Sequence, residues 1–226
     1  MKSADNMFDK HRNLQSVVIN YSDHVDGNKL MCLRAASGIS GVSKNICVVV
    51  DRDFDDIADG KYTTETLLRT DGSCREYYVI DRDIVDSGLA SLKINDFSEE
   101  DFVAVRSDAE FLYCLRAYVL FNNRGRKFSK AKAKDFLDGR LDRSKILAKN
   151  KVDVAQEEIS VLGKKSDVEY PAHKNDIFFC FEQYLRGSRS RNINPSDKSI
   201  QLAFEAVSYG KCLDAALFRE IESRFR

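Results

Sequence analysis

The stretch "NICVVV" at residues 45–50 constrains the fold more than any other segment. It has the length of one strand, ends in three consecutive valines and shows no polar alternation. A strand of this kind is expected to be buried on both faces, as in a parallel sheet covered by helices. Before it, "SVVIN" (16–20) reads as a short β-branched strand and "DGNKLMCLRAASG" (26–38) as a helix stopped by Gly38. Strand, helix, strand in that order implies a right-handed crossover and an α/β fold.

The apolar run stops abruptly in "DRDFDD", with Asp51, Asp53 and Asp55 at alternate positions. Alternate side chains of an extended segment share a face, so Asp51 and Asp53 point together while Arg52 turns away. Ligands of open α/β sheets bind at the carboxyl ends of the strands, where this pair stands. A hard cation such as Mg²⁺ takes one or two carboxylates and keeps several waters. Acids at strand ends are also common as solvated turn formers, so the motif alone leaves both readings open. An EF-hand loop beginning at Asp51 is excluded, because Asp56 and Tyr62 stand where Gly and Glu are required. A haloacid-dehalogenase-like phosphatase is disfavoured, because Asp55 stands where that motif carries Thr or Val. There is no P-loop and no G-x-G-x-x-G, and the three histidines have no metal-ligand spacing.

Further along, "TTETLLRTD" (63–71) offers another short strand. "GSCREYYVI" reads as the start of a helix, with Ser73 and Glu76 at capping-box spacing. A second D-x-D, Asp81 and Asp83 in "YVIDRDIVD", then falls near the end of that helix and reads as two surface acids. "SEEDFVAVRSDAEFLYCLRAYVLF" (98–121) is one long helix or a pair, capped by Ser98. Residues 122–150 show weak helical periodicity through Phe136, Leu137 and Leu141. "VEYPAHKNDIFFCFEQYLRG" (168–187) turns helical after Asp176, which reads as an N-cap or a supporting site residue. Two amphipathic helices close the chain, with Leu217 and Ile221 on the apolar stripe of the last.

Composition matters here through its distribution. The 226 residues carry 36 basic and 36 acidic side chains, so net charge points to no partner. Between Asp51 and Glu110, however, there are 17 acids and seven bases, and between Arg124 and Lys151 there are 11 bases and three acids. The basic segment, through Arg124, Arg126, Lys127 and Lys130, is a candidate for meeting nucleic acid phosphates; a solvated helix or a partner surface fits the same composition. Six scattered cysteines, several inside apolar runs, read as small core residues of a reducing compartment. No apolar stretch reaches membrane-spanning length, and the polar N-terminus lacks a signal-peptide core, so a cytoplasmic protein with no membrane association is expected.

Three blocks in order carry a resemblance: "VVVDRDFDD", "LLRTDGSCREYYVI" with Asp71 and Glu76, and "AHKNDIFFCFEQYLR" with His173 and Asp176. The first resembles the D-x-D of Toprim domains, the catalytic module of topoisomerases, primases and overcoming-lysogenization-defect nucleases. The set resembles a bacterial Toprim-like family that accompanies ABC-type ATPases in anti-phage systems. The likeness covers roughly residues 45–80 and 170–187. It implies a mostly parallel sheet flanked by helices over residues 1–121, with the basic segment and a helical C-terminal part over 122–226 packed on it. It also implies Mg²⁺ or Mn²⁺ held by Asp51 and Asp53, with Asp71 or Glu76 assisting, and DNA or RNA as substrate. An ABC-type ATPase is the implied partner, and homo-oligomerisation is compatible.

The chain departs from the family at one point. The general acid or base of Toprim nucleases is a first-strand Glu, and no Glu precedes Glu65. "VINYSD" (18–23) is the nearest counterpart, with Ile19 in the Glu position. "SVVIN" is then expected to be the second strand, with the Glu-bearing strand missing, which expects either a truncated nuclease or a catalytically inactive subunit controlled by the ATPase. An unpaired sheet edge would in turn favour association.

Overall fold

A computed structural model of the chain describes residues 27–42, 46–51, 64–69, 71, 78–122, 127–163, 171–187, 195–208 and 216–225. The protein is a mixed α/β structure, mostly helical, with a small parallel sheet. The strand expected at 16–20 lies outside the described residues.

The apolar run does form a strand, β1 (Val48–Val50), and "LLR" forms β2 (Leu67–Arg69). The two are parallel, with Val48 opposite Leu67, Val49 opposite Leu68 and Val50 opposite Arg69. Helix α1 (Gly27–Ile39) covers one face, where Ala36 packs with Val50 and Leu67. The hydroxyl of the buried Thr66 fastens that helix by donating to the Ala36 carbonyl at 2.8 Å. The other face carries Leu68 against Leu217 and Ile221 of the last helix, α8 (Ala216–Phe225). Helices on both faces are the environment that an unbroken apolar strand requires. Burial is incomplete all the same, since Val49 remains 37% exposed.

The larger part of the core is helical. It is built from α2 (Arg82–Ser91), α3 (Glu99–Asn122), α4 (Arg143–Lys149), α5 (Gln156–Gly163), α6 (Lys174–Gly187) and α7 (Asp197–Ser208). Helix α3 is its axis. From Asp108 to Leu115 all but one of its residues are buried, as expected of a helix enclosed on every side. It begins where Ser98 predicts. The Ser98 hydroxyl accepts from Asp101 N–H at 3.2 Å, and the Asp101 carboxylate accepts from Ser98 N–H at 2.8 Å. Helices α5 and α6 pack along it, α7 packs on α2 and α6, and Phe181 meets Phe204 edge-on at 5.2 Å. The core runs without a break from residues before 121 to residues after it. Tyr78 joins the two parts, packing against both the helical core and the Leu68 cluster.

Two segments differ from the sequence expectation. The helix start expected at Ser73 and Glu76 lies outside the described residues; a helix does start at Arg82, and Asp81 is its N-cap, accepting from Asp83 N–H at 3.0 Å. The second D-x-D therefore opens a helix. Between its acids, Arg82 clamps the next turn, donating to the carbonyls of Ser98 at 2.7 Å and Phe97 at 2.9 Å. The basic segment is not one helix either. "FLDGRL" forms an antiparallel hairpin, β3 (Phe136–Leu137) and β4 (Arg140–Leu141). Asp138 and Gly139 both have positive φ, 49° and 82°, as a two-residue hairpin turn demands. This turn packs on the end of α6 so closely that a side chain at Gly187 would come within 2.2 Å of Gly139 N.

No helix among the described residues is long and apolar enough to cross a membrane.

Candidate functional site

The parallel register carries Asp51 out of β1 and Asp71 out of β2 at the same, carboxyl end of the sheet. Asp51 directly follows Val50, and Asp71 stands two residues beyond Arg69. Both are partly buried. Asp71 is held at three points. Its N–H donates to the Tyr78 hydroxyl at 2.9 Å, and its two carboxylate oxygens each lie 3.2 Å from Leu217 N. Leu217 is the second residue of α8, so Asp71 meets the electropositive end of that helix. Docking of α8 is completed by Leu217 and Ile221 on Leu68 and by Arg224, which donates to the Glu65 carbonyl.

Asp53 and Glu76 lie outside the described residues, as do Arg124 and Arg126. Among the described residues no group of three or more His, Cys, Asp or Glu converges in a metal-binding arrangement. The donors that do share the sheet end are carboxylate oxygens. Two such groups with water completing the shell suit a hard cation of the Mg²⁺ or Mn²⁺ kind.

Asp176 is engaged inside the helical core. It is the third residue of α6, whose first turn hangs on the His173 carbonyl, so it is not the N-cap that the sequence suggests. Its carboxylate is 2.5 Å from an Arg116 guanidinium nitrogen and 4.0 Å from His173 Nδ1. Arg116 in turn stacks on Phe128 at 4.2 Å. Lys127 and Lys130 are exposed outside any helix or strand, and the Lys130 carbonyl accepts from Lys149 Nζ at 2.7 Å.

Sequence reasoning missed a heavily bonded acid in the helical core. Asp108, buried in α3, accepts from Arg140 Nε at 2.9 Å, from Leu141 N–H at 3.0 Å and from Arg143 at 3.3 Å. It ties the hairpin and α4 to the central helix. Its signal was an acid in phase with Val105, Leu112 and Leu115 on an otherwise apolar face. Cys180 lies fully buried beside it. Burial, with the nearby charges of Asp108 and Asp176, pushes that thiol well above its ordinary range, and it is unreactive as a nucleophile.

Comparison of the chain with protein-family models, curated proteins and solved structures finds no match.

Proposed function

We propose that the chain is a Toprim-like, cation-dependent nuclease, or an effector derived from one, acting on phosphodiesters of DNA or RNA. The observation that carries this reading is Asp51 at the carboxyl end of a strand in a parallel, helix-covered sheet, with Asp71 leaving the neighbouring strand at the same end. Asp51 and Asp53 hold Mg²⁺ or Mn²⁺, and Asp71 and Glu76 assist. The cation, when bound, stabilises the charge that develops on the scissile phosphate. The protein's part is to hold the carboxylates rigid, through β1 and its packing on Ala36 and Leu67. An ABC-type ATPase partner, a role in anti-phage defence and a cytoplasmic location follow from the same resemblance.

One observation favours a second reading. The Asp71 carboxylate already serves the N-terminus of α8. A catalytically inactive Toprim-like subunit that docks on its ATPase partner would retain the sheet and use Asp71 in this way.

The test is nicking of supercoiled plasmid and cleavage of RNA with Mg²⁺ or Mn²⁺. The nuclease reading expects activity that disappears in Asp51→Ala and in Asp53→Ala. Activity surviving both substitutions would sink the cation assignment, and a wild-type chain inert on both substrates would support the inactive subunit.

A further inference from the structure

The fold gathers five lysines from two separate segments onto one surface. Lys130, Lys132 and Lys134 precede the hairpin, and Lys145 and Lys149 lie on α4 after it. The Lys149 ammonium donates to the Lys130 carbonyl at 2.7 Å, and that of Lys145 donates to the Lys134 carbonyl. At the centre stands Asp135, only 1% exposed, which receives Lys149 Nζ at 2.5 Å and Lys132 N–H at 2.9 Å. One buried carboxylate thus fixes the surface while offsetting one of its five charges. Of the next acids in sequence, Asp138 is exposed at the hairpin turn, and Asp142 caps α4 by accepting from Lys145 N–H at 3.0 Å. Ala131 packs against the core between the exposed Lys130 and Lys132. An ammonium has three donors, so Lys145 keeps capacity for a ligand after serving the Lys134 carbonyl, whereas Lys149 is largely committed to the Lys130 carbonyl and Asp135.

We propose that this lysine surface binds the phosphate backbone of duplex nucleic acid without reading its bases. It deepens the reading of the chain as a protein acting on phosphodiesters, while requiring no cation. Three features select this partner. Lysine ammoniums are point charges and lack the planar fork that reads guanine or clamps a carboxylate. The flanking aromatics, Phe128 and Phe136, are both half-buried, the first with its ring taken by Arg116 at 4.2 Å and the second edge-on to Phe179 at 5.6 Å, so neither offers a platform for unpaired bases. Of the apolar side chains at the patch, Ala131 and Phe136 pack against the core, and the exposed Leu137 and Ala133 include no aromatic anchor of the kind a protein partner needs.

The experiment is fluorescence anisotropy of a short labelled DNA duplex with the full chain in EDTA, across a salt series. Wild type binds at low salt, with affinity falling as salt rises. Replacing Lys132 and Lys134 together by Gln lowers the salt slope by about 2, close to one unit for each phosphate no longer neutralised. A second pair, Lys130→Gln with Lys145→Gln, does the same. The control pair, Lys93→Gln with Lys198→Gln, leaves the slope unchanged while altering net charge equally. The proposal is overturned by absent binding, by an unchanged slope in both patch pairs, or by an equal loss in the control. Tighter binding of the single strand, or equal displacement by polyglutamate, overturns it too. Because EDTA removes any cation role, failure of the patch and failure of the nuclease reading are separate results.

Discussion

Both carboxylate oxygens of Asp71 lie 3.2 Å from the backbone nitrogen of Leu217, across a sequence separation of 146. An acid just beyond a sheet strand thereby satisfies an N–H at the start of the last helix, which would otherwise need water or another cap. Among the described side chains, the apolar contact of α8 with the sheet centres on Leu68, Leu217 and Ile221. The cap adds a polar tie to that contact.

Asp71→Ala is expected to cost about 1 kcal/mol, the usual worth of a lost cap. The loss should be local. Amide hydrogen exchange at residues 218–221 should accelerate, while exchange in the centre of α3 stays slow. Unchanged exchange in α8 would show that the carboxylate does not hold it.

Asp176 and Arg116 form a pair whose side chains are only 7% and 14% exposed. The Nε of Arg116 is already buried without a hydrogen-bond partner, so the guanidinium tolerates little further loss. Asp176→Ala would leave it uncompensated, at a cost of about 3–5 kcal/mol. The expected signature is a lowered urea midpoint with cation binding intact. Wild-type stability with lost cation binding would instead return Asp176 to the site.

Asp135 gives a pH dependence with a defined sign. Burial works against its charge, but hydrogen bonds from the Lys149 ammonium and Lys132 N–H, with the charges of Lys149 and Lys145, hold its carboxyl below its ordinary range. A carboxyl depressed on folding stabilises the fold above its unfolded pKa, about 3.9, and loses that contribution as pH falls through the folded value. Asp135→Asn should therefore be less stable than wild type near neutrality, and the gap should narrow below about pH 4. Urea melts at neutral and acid pH check this, and a gap independent of pH contradicts it.

Legibility in the sequence followed the range of the interactions. The long helix was readable because its start is a local device, Ser98 with Asp101, and its body is apolar on every side. The parallel pair was readable from two short apolar runs. The N-cap at Asp81 was missed because that acid reads as lying near the end of a helix whose expected start, Ser73, lies outside the described residues. The hairpin was overlooked although Asp-Gly between "FL" and "RL" is its local signature, because the lysine-rich flanks suggest a solvated helix. Asp71 capping α8, and Asp108 gathering Arg140 and Arg143, join residues far apart in the chain. No periodicity or spacing encodes such long-range pairings.

At the sheet end, the resemblance led to Asp51 and Asp71, and the parallel register brings their positions to one edge. Whether that edge holds a cation is the central claim. It is tested most directly by isothermal titration of Mg²⁺ and Mn²⁺ into the wild-type chain and into Asp51→Asn. The account predicts saturable binding to wild type that is lost in Asp51→Asn, with the helical circular-dichroism spectrum unchanged. Equal binding to both chains, or none to wild type, would contradict it.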